Sequence, residues 1–180
     1  MTSNATIQIQ NKLNEKNESV SGKIFTINRL AAMQSGVIRV MAQCCELDEI
    51  KVIPLHVAIP DHTLGLIVEW LDHHKPATDS ELAEDTQSSD SYKRVEMTEW
   101  DQKFFDDKVT GAGSNDEGLL RIIFAANYLG IENLLDMGVQ VVANMLKGKS
   151  AEEIRYILKI QNDFTPEEEE AIRAENNWTE

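Results

Sequence analysis

The sequence predicts an α+β fold, with a few strands and several helices first and a region of helices alone after them. Hydrophobic and polar residues alternate near the start of the chain, and a period of two is typical of a half-buried strand. After residue 97 the hydrophobic residues recur every three or four positions, as they do on one face of a helix. A polar stretch at 75–96, with six acidic and three basic residues, lies between the two regions and predicts a flexible linker.

The first region has five predicted elements. Ile7 and Ile9 alternate with polar residues in one strand, and a second strand follows a polar turn, so we expect the two to pair as a hairpin with a long loop. Helical spacing of hydrophobic residues then predicts two helices with a short strand between them. After the first strand, the predicted elements are a strand at 23–28, a helix at 36–47, a strand at 51–55 and a helix at 61–74.

The second region is predicted to be helical throughout. A short helix surrounds residues 100–105, and the glycine-rich stretch 109–116 follows it as a loop. Asn115 can cap the next helix, and Gly130 stands where that helix should stop, because glycine readily takes the left-handed conformation of a helix end. A further helix is expected at 131–147.

Two capping boxes predict the starts of the last two helices. Ser150 is followed three residues later by Glu153, and Thr165 is followed three residues later by Glu168. In this pattern the hydroxyl and the carboxylate each accept a hydrogen bond from an otherwise unpaired backbone N–H group. Pro166 occupies the first helical position, where its missing N–H group costs nothing.

Composition restricts the classes of partner. The chain has 180 residues, is 42% hydrophobic and carries a formal net charge of -14. Such an acidic surface repels phosphate backbones and anionic lipids, so we expect neither nucleic acid nor membrane as a partner. The start of the chain lacks the pattern of a secretory signal, and adjacent Cys44 and Cys45 cannot build a disulfide framework. We therefore expect a soluble intracellular protein.

No motif for catalysis or for a bound metal is evident. The four histidines, at 56, 62, 73 and 74, include no pair spaced four residues apart on a helix, and we expect them to face solvent. The acidic run 167–170 offers either a site for a metal or basic partner, or a solvated helix start, and the helix start is the better interpretation. Nucleophile and phosphate-loop motifs are missing from the sequence. The sequence therefore predicts no enzyme, no cofactor and no metal.

Four strings in the second region carry a family resemblance. They are WDQKFF (100–105), FAANYLGIENLLD (124–136), VANMLKGKSAEEIR (142–155) and NDFTPEEEEAIRAENNW (162–178). In this order they resemble the S-phase kinase-associated adaptor family, whose members link a cullin to F-box proteins. EWLDHHK (69–75) resembles the end of the first part of that family as well.

The resemblance implies a BTB/POZ-like core, with a small sheet and helices, followed by two additional C-terminal helices. On this basis the first part of the core spans 1–74, and its helical remainder spans 97–147. The acidic linker at 75–96 separates them, and the helices that bind the F-box occupy 148–180.

The resemblance also implies a function, namely a non-catalytic adaptor in an SCF-type ubiquitin ligase of the cytoplasm and nucleus. Its implied partners are F-box proteins and a cullin. Asn127 and Tyr128 match family positions that face the cullin. The positions that match the F-box contact are Leu119, Ile123, Val139, Val142, Ile172, Asn176, Asn177 and Trp178.

Departures from the family pattern indicate a diverged paralogue. Ala151 stands where the family usually has proline, Gly130 stands where aspartate is common, and the stretch 109–116 is longer than usual. Two alternatives therefore stay open. One is an F-box-binding or elongin-C-like adaptor that acts outside a cullin ligase. The other is a self-associating BTB scaffold, which would form at least a weak homodimer without a partner.

Overall fold

A computed structural model describes residues 6–11, 23–44, 52–55, 59–78, 96–111 and 117–175 of the chain. Residues 79–95, which make up most of the predicted linker, lie outside this description, as do Cys45 and His56. The chain divides into two compact units, Met1–Asn144 and Met145–Glu180. The domain boundaries expected from the sequence stay predictions.

A small sheet forms one part of the first unit. Its strands lie in the order β2-β1-β3, and β1 pairs antiparallel with β2 and parallel with β3. Ile9 is buried on the central strand, where it faces Phe25 on one side and Ile53 on the other. The predicted hairpin pairing is thus confirmed. The strands are β1 (Thr6–Asn11), β2 (Ile24–Asn28) and β3 (Ile53–Leu55).

Eight α-helices and one π-helical segment occur within the described residues. The first six helices are α1 (Arg29–Ala32), α2 (Gly36–Cys44), α3 (Asp61–His73), α4 (Glu99–Lys103), α5 (Glu117–Leu129) and α6 (Glu132–Leu146). All of them lie in the first unit except the last two residues of α6. The π-helical segment, Phe104–Thr110, continues α4 directly. The last two helices are α7 (Ala151–Leu158) and α8 (Pro166–Glu175).

The core of the first unit lies where α3 meets β2 and α5. Leu64 and Leu71 of α3 are buried, as are Ile122 and Leu129 of α5. Each pair is spaced by seven residues, or about two helical turns, so each helix directs one apolar stripe into the core. The sheet contributes the buried side chains of its alternating isoleucines.

The π-helical segment corrects the predicted loop at 109–116. Val109 is buried and Thr110 is still helical, whereas residues 112–116 lie outside the described residues. The Thr110 hydroxyl donates a hydrogen bond to the carbonyl of Phe105, five residues earlier, at 3.0 Å. A side chain at residue 111 would lie 2.3 Å from the Asp106 carbonyl, which explains why glycine ends the segment. The prediction was wrong at 109–110 because Val109 is held by the core.

The predicted helix ends at Gly130, Ser150 and Thr165 are confirmed, whereas the predicted cap Asn115 lies outside the described residues. Gly130 ends α5 with a φ of +63°, the left-handed conformation that favours glycine. Ser150 and Glu153 form the expected capping box at α7. At α8 the Thr165 hydroxyl accepts from the Glu168 N–H group, and the Glu168 carboxylate accepts from the Thr165 N–H group.

A buried carboxylate joins α4 to α3. Asp101 has no exposed surface and accepts four hydrogen bonds. Its Oδ1 accepts from Trp70 Nε1 at 3.1 Å and contacts His74 Nε2 at 3.1 Å. Its Oδ2 accepts from the backbone N–H group and hydroxyl of Thr98 at 3.0 and 2.7 Å. A buried carboxylate is stable only with such a full set of donors.

Both ring nitrogens of His74 lie close to oxygen atoms. Nδ1 lies 3.0 Å from the Trp70 carbonyl oxygen, and Nε2 faces the Asp101 carboxylate. The ring also stacks on Trp70 with centroids 4.1 Å apart. The expectation of a solvent-facing histidine is therefore wrong at His74, because a buried acid opposite it supplies the partner.

Replacing Asp101 should destabilise the fold strongly. Asp101→Ala leaves the buried indole N–H group of Trp70 without its acceptor and removes the carboxylate that Thr98 and His74 contact. We expect a loss of about 3 kcal/mol or more in the free energy of unfolding, measured by urea denaturation. Asp107→Ala is the control. It removes an exposed acidic side chain from the π-helical segment that continues α4, and it should change stability little.

The pH dependence provides a second check on Asp101. Burial alone would raise the pKa of its carboxyl, but the hydrogen bonds from Thr98, with help from His74 and Trp70, lower that pKa below its usual value. A lowered pKa stabilises the fold above the unfolded value of about 3.9, and this stabilisation is lost as the pH falls further. The wild type should therefore lose more stability on acidification than Asp101→Ala does. Equal acid dependence would contradict the proposed network.

Candidate functional site

The helix α5 carries residues from both expected partner contacts, the one with the cullin and the one with the F-box protein. Asn127 is exposed and Tyr128 is half-buried, one turn before the end of the helix at Gly130. Leu119 and Ile123 lie four residues apart and share another side of the same helix. The residues expected to face the cullin and those expected to face the F-box protein therefore lie on different sides of α5.

The end of α5 is fixed to the start of α2. The buried Ser35 hydroxyl donates a hydrogen bond to the Leu129 carbonyl at 2.5 Å and accepts one from the Ile38 N–H group at 3.2 Å. The Gly36 N–H group donates to the Gly130 carbonyl at 3.1 Å. These bonds hold the corner that displays Asn127 and Tyr128 in one position.

Phe124 extends this exposed corner and was missed by the sequence analysis. It is 72% exposed, which is unusual for an aromatic side chain in a helix that also forms the core. It precedes Asn127 by three residues and Tyr128 by four, so the three side chains share one face of α5. This spacing is the sequence feature from which Phe124 could have been selected. We call Phe124, Asn127 and Tyr128 the α5 corner face.

A second surface forms where α5 meets α6. Val139 is 52% exposed, and Ile123 and Val142 are half-buried. Leu119 is only 1% exposed, so the structure places it in the core and not among the accessible contacts. We call Ile123, Val139 and Val142 the α5–α6 apolar surface.

Gly138 sets the distance between the two helices at this surface. A side-chain carbon added at residue 138 would lie 2.7 Å from Ile123 Cγ1, well inside van der Waals contact. Gly138 is itself buried, and its neighbour Val139 points outward. The absence of a side chain at 138 therefore determines where Ile123 lies relative to Val139.

The second unit exposes most of its surface. None of the residues of α7 and α8 is buried. Arg155 and Asn162 both contact Glu169, at 3.4 and 2.8 Å, which joins the two helices by polar contacts. Ile172 is half-buried.

Three large hydrophobic side chains that the sequence analysis did not select are exposed here, namely Tyr156, Ile160 and Phe164. Asn176, Asn177 and Trp178 lie outside the described residues.

Comparison with known proteins identifies the family. The chain matches the family model described as Skp1 family, tetramerisation domain, over residues 16–76, and that described as Skp1 family, dimerisation domain, over residues 132–179. Proteins named E3 ubiquitin ligase complex SCF subunit sconC are similar over most of their length. That of Arthroderma benhamiae is 43% identical over 90% of this chain and 92% of its own. That of Aspergillus fumigatus is 43% identical over 90% of this chain and 95% of its own.

The chain belongs to the Skp1 family. Its small sheet with packed helices, followed by α7 and α8, is the BTB/POZ-like arrangement with two additional helices that the sequence predicted. The two Skp1 family models leave residues 77–131 between them, and this interval includes all of α5. The alignment with the Arthroderma benhamiae protein covers 162 residues of this chain.

The acidic run at the start of α8 serves the helix itself. Hydrogen bonds from the backbone and side chain of Thr165 lower the pKa of the Glu168 carboxyl, which favours its charged form at the helix start. Glu169 contacts Arg155 and Asn162. Within the described residues, no three His, Cys, Asp or Glu side chains are placed to hold a metal ion, and no helix there could span a membrane.

Two glycine substitutions test the packing at the α5–α6 apolar surface. Gly138→Ala should lower the free energy of unfolding by about 1 kcal/mol, because displacing Ile123 costs more than the gain in helix propensity. Gly65→Ala, inside α3, is the matched control. Its added carbon would lie 3.5 Å from Phe25, an ordinary contact. It should therefore raise the free energy of unfolding by up to about 1 kcal/mol. Urea denaturation measures both, and equal effects of the two substitutions would contradict the role of Gly138.

Proposed function

We propose that this chain is a non-catalytic adaptor that holds a cullin and an F-box protein together in an SCF-type ubiquitin ligase. The observation that carries the proposal is that α5 displays two separate surfaces in a Skp1 family fold. One is the α5 corner face and the other is the α5–α6 apolar surface. The similar sconC proteins are named as subunits of SCF ubiquitin ligase complexes, which supports the same assembly for this chain.

The geometry of a helix allows both surfaces to be occupied at once. Ile123 and Phe124 are adjacent in sequence, so their side chains leave α5 about 100° apart. A partner that covers Phe124 therefore leaves Ile123 and α6 accessible. Because both surfaces belong to one rigid element, the two partners are held at a fixed separation, and catalysis in the assembly benefits from proximity. The adaptor needs no reactive group of its own.

The cullin is assigned to the α5 corner face. This face combines a large exposed aromatic ring at Phe124 with the polar side chains of Asn127 and Tyr128. Aromatic residues with a polar neighbour are frequent at the centres of protein interfaces. The hydrogen bonds that fix Gly130 to Gly36 also mean that this face needs little rearrangement to bind.

One surface on each unit is assigned to the F-box protein: the α5–α6 apolar surface on the first, and the exposed side chains of α7 and α8 on the second. The second unit has exposed hydrophobic side chains at Ile160 and Phe164 and buries no residue of its helices. Such a unit gains a hydrophobic core only when a partner covers it. Trp178 stays a predicted contact at the end of this region. We place the assembly in the cytoplasm and nucleus.

A self-associating scaffold is the second candidate function. The names of the two matching family models, tetramerisation and dimerisation domain, favour it. A second copy of the chain could then cover the exposed hydrophobic residues in place of an F-box protein. Light scattering on the purified chain distinguishes the two, because a stable homodimer that F-box protein does not dissociate would favour the scaffold.

Truncating Phe124 should weaken cullin binding selectively. Phe124→Ala is expected to lower the affinity for a cullin amino-terminal domain about 30-fold, or about 2 kcal/mol, typical of an interface aromatic. Stability of the free chain should hardly change, because the ring is exposed.

Asn127→Lys combined with Tyr128→Lys should abolish cullin binding and leave F-box binding intact. Titration calorimetry measures both affinities.

The matched control for Phe124 is Phe164→Ala, which removes another exposed ring. It should weaken binding of the F-box protein and leave cullin binding unchanged. If Phe124→Ala reduced both affinities together with the melting temperature, the residue would be structural and the assignment of the corner face would be wrong.

A charge placed on the α5–α6 apolar surface should prevent F-box binding. Val139→Asp puts a carboxylate where the partner must exclude water, and we expect a loss of about 2 kcal/mol or more in F-box affinity. Val40→Asp on α2 is the control, since Val40 is 56% exposed and Val139 is 52% exposed. Calorimetry should show a loss for Val139→Asp alone, and equal affinities of the two variants would refute the assignment.

Trp178 gives a separate test of the C-terminal region. Trp178→Ala is expected to cost about 2 kcal/mol in F-box affinity, since tryptophan is enriched among the residues that dominate binding energy. Removing residues 161–180 should weaken F-box binding further and leave cullin binding largely intact. A variant that binds normally, or that melts far lower while unbound, would place Trp178 in the core of the free protein.

A further inference from the structure

A cavity on the first unit is separate from both proposed partner surfaces. It has a volume of about 180 Å³ and lies where the start of α3, the π-helical segment and the start of α5 meet. Its lining includes His62 and Thr63 from α3, Lys108 from the π-helical segment and Arg121 from α5. Asn127 and Tyr128 lie at the other end of α5, so the cavity does not overlap the corner face.

The start of α3 offers hydrogen-bond donors to this cavity. Pro60 occupies the cap position, and no side chain caps the helix. The first N–H groups of a helix have no acceptor within the helix itself, and the helix dipole adds positive potential at this end. His62 and Thr63 supply two of these groups. Anions bind at such helix starts in many proteins.

The buried hydroxyl group of Thr63 is the feature that points to a ligand. Its side chain lines the cavity and is only 5% exposed. Among the described residues its hydroxyl has no hydrogen-bond partner, although buried hydroxyl groups are normally paired. An unpaired buried hydroxyl costs free energy. A ligand oxygen in the cavity would supply the missing acceptor.

Two cationic side chains at the cavity are held only by exposed ion pairs. Lys108 and Arg121 line it, against the single carboxylate of Glu117 among the lining residues. Lys108 pairs with Glu69, and Arg121 pairs with Glu117. All four side chains are exposed, and exposed ion pairs contribute at most about 1 kcal/mol, so a more highly charged ligand can compete with them.

We propose that this cavity binds a phosphate group. A phosphate presents several acceptor oxygens, which match the Thr63 hydroxyl, the N–H groups that begin α3 and the guanidinium of Arg121. The ammonium group of Lys108 supplies a further positive charge. The phosphate is either free in solution or carried as a monoester on a side chain, and both share the same chemistry. The proposal does not depend on the adaptor function.

Nuclear magnetic resonance titration of the full chain tests the proposal. Inorganic phosphate, added at constant ionic strength against potassium chloride, should cause saturable shifts of the His62 and Thr63 amide signals. O-phosphoserine is the second probe and distinguishes the two sources. Shifts with both probes indicate a cavity open to monoesters, and shifts with inorganic phosphate alone indicate a site for the free ion. Shifts that do not saturate, or that spread over surface lysines and arginines, would overturn the proposal.

Two variants locate the site. Arg121→Gln should weaken phosphate binding about tenfold, whereas Arg173→Gln, which removes an exposed arginine of the second unit, should leave it unchanged. Thr63→Val retains the shape of the side chain and removes the hydroxyl. It should reduce phosphate affinity without lowering the melting temperature of the phosphate-free chain. A large loss of stability without phosphate would show that the Thr63 hydroxyl already has a partner, which would contradict the proposal.

Discussion

The buried Asp101 carboxylate determines how α4 lies against α3. Four donors from Trp70, His74 and Thr98 converge on it, and the Trp70 indole could not stay buried without an acceptor. Because α4 continues directly into the π-helical segment, the same contact also places Phe104 and Phe105 in the core. That segment packs against α5, so the helix that carries both proposed partner surfaces takes its position from this network.

The helix α5 combines a structural and a functional role on different sides. Ile122 and Leu129 are buried in the core, while Phe124 is exposed on the opposite side of the helix. A core helix is rigid, so its exposed residues are presented to a partner with little loss of conformational entropy on binding. The second unit is built differently, with polar contacts between α7 and α8 and exposed hydrophobic residues.

The sequence predicted the order of strands and helices because hydrophobic periodicity and capping residues are local signals. The hairpin around Ile9, the stop at Gly130 and the capping box at Ser150 were all predicted in this way. It did not predict that His74 meets Asp101, because residues 27 positions apart give no local signal of contact. Phe124 was missed because its exposure depends on which side of α5 faces the core. The F-box contact of Leu119 was implied by the family resemblance and stays a prediction, although this side chain is buried in the structure.

Simultaneous binding is the central claim, and size-exclusion chromatography with light scattering tests it most directly. The purified chain is mixed with a cullin amino-terminal domain and an F-box protein, and the mass of each eluting species is measured. We predict a single species that contains one copy of each of the three proteins. Two separate binary complexes, in which the cullin and the F-box protein exclude each other, would contradict an adaptor with two independent surfaces on α5.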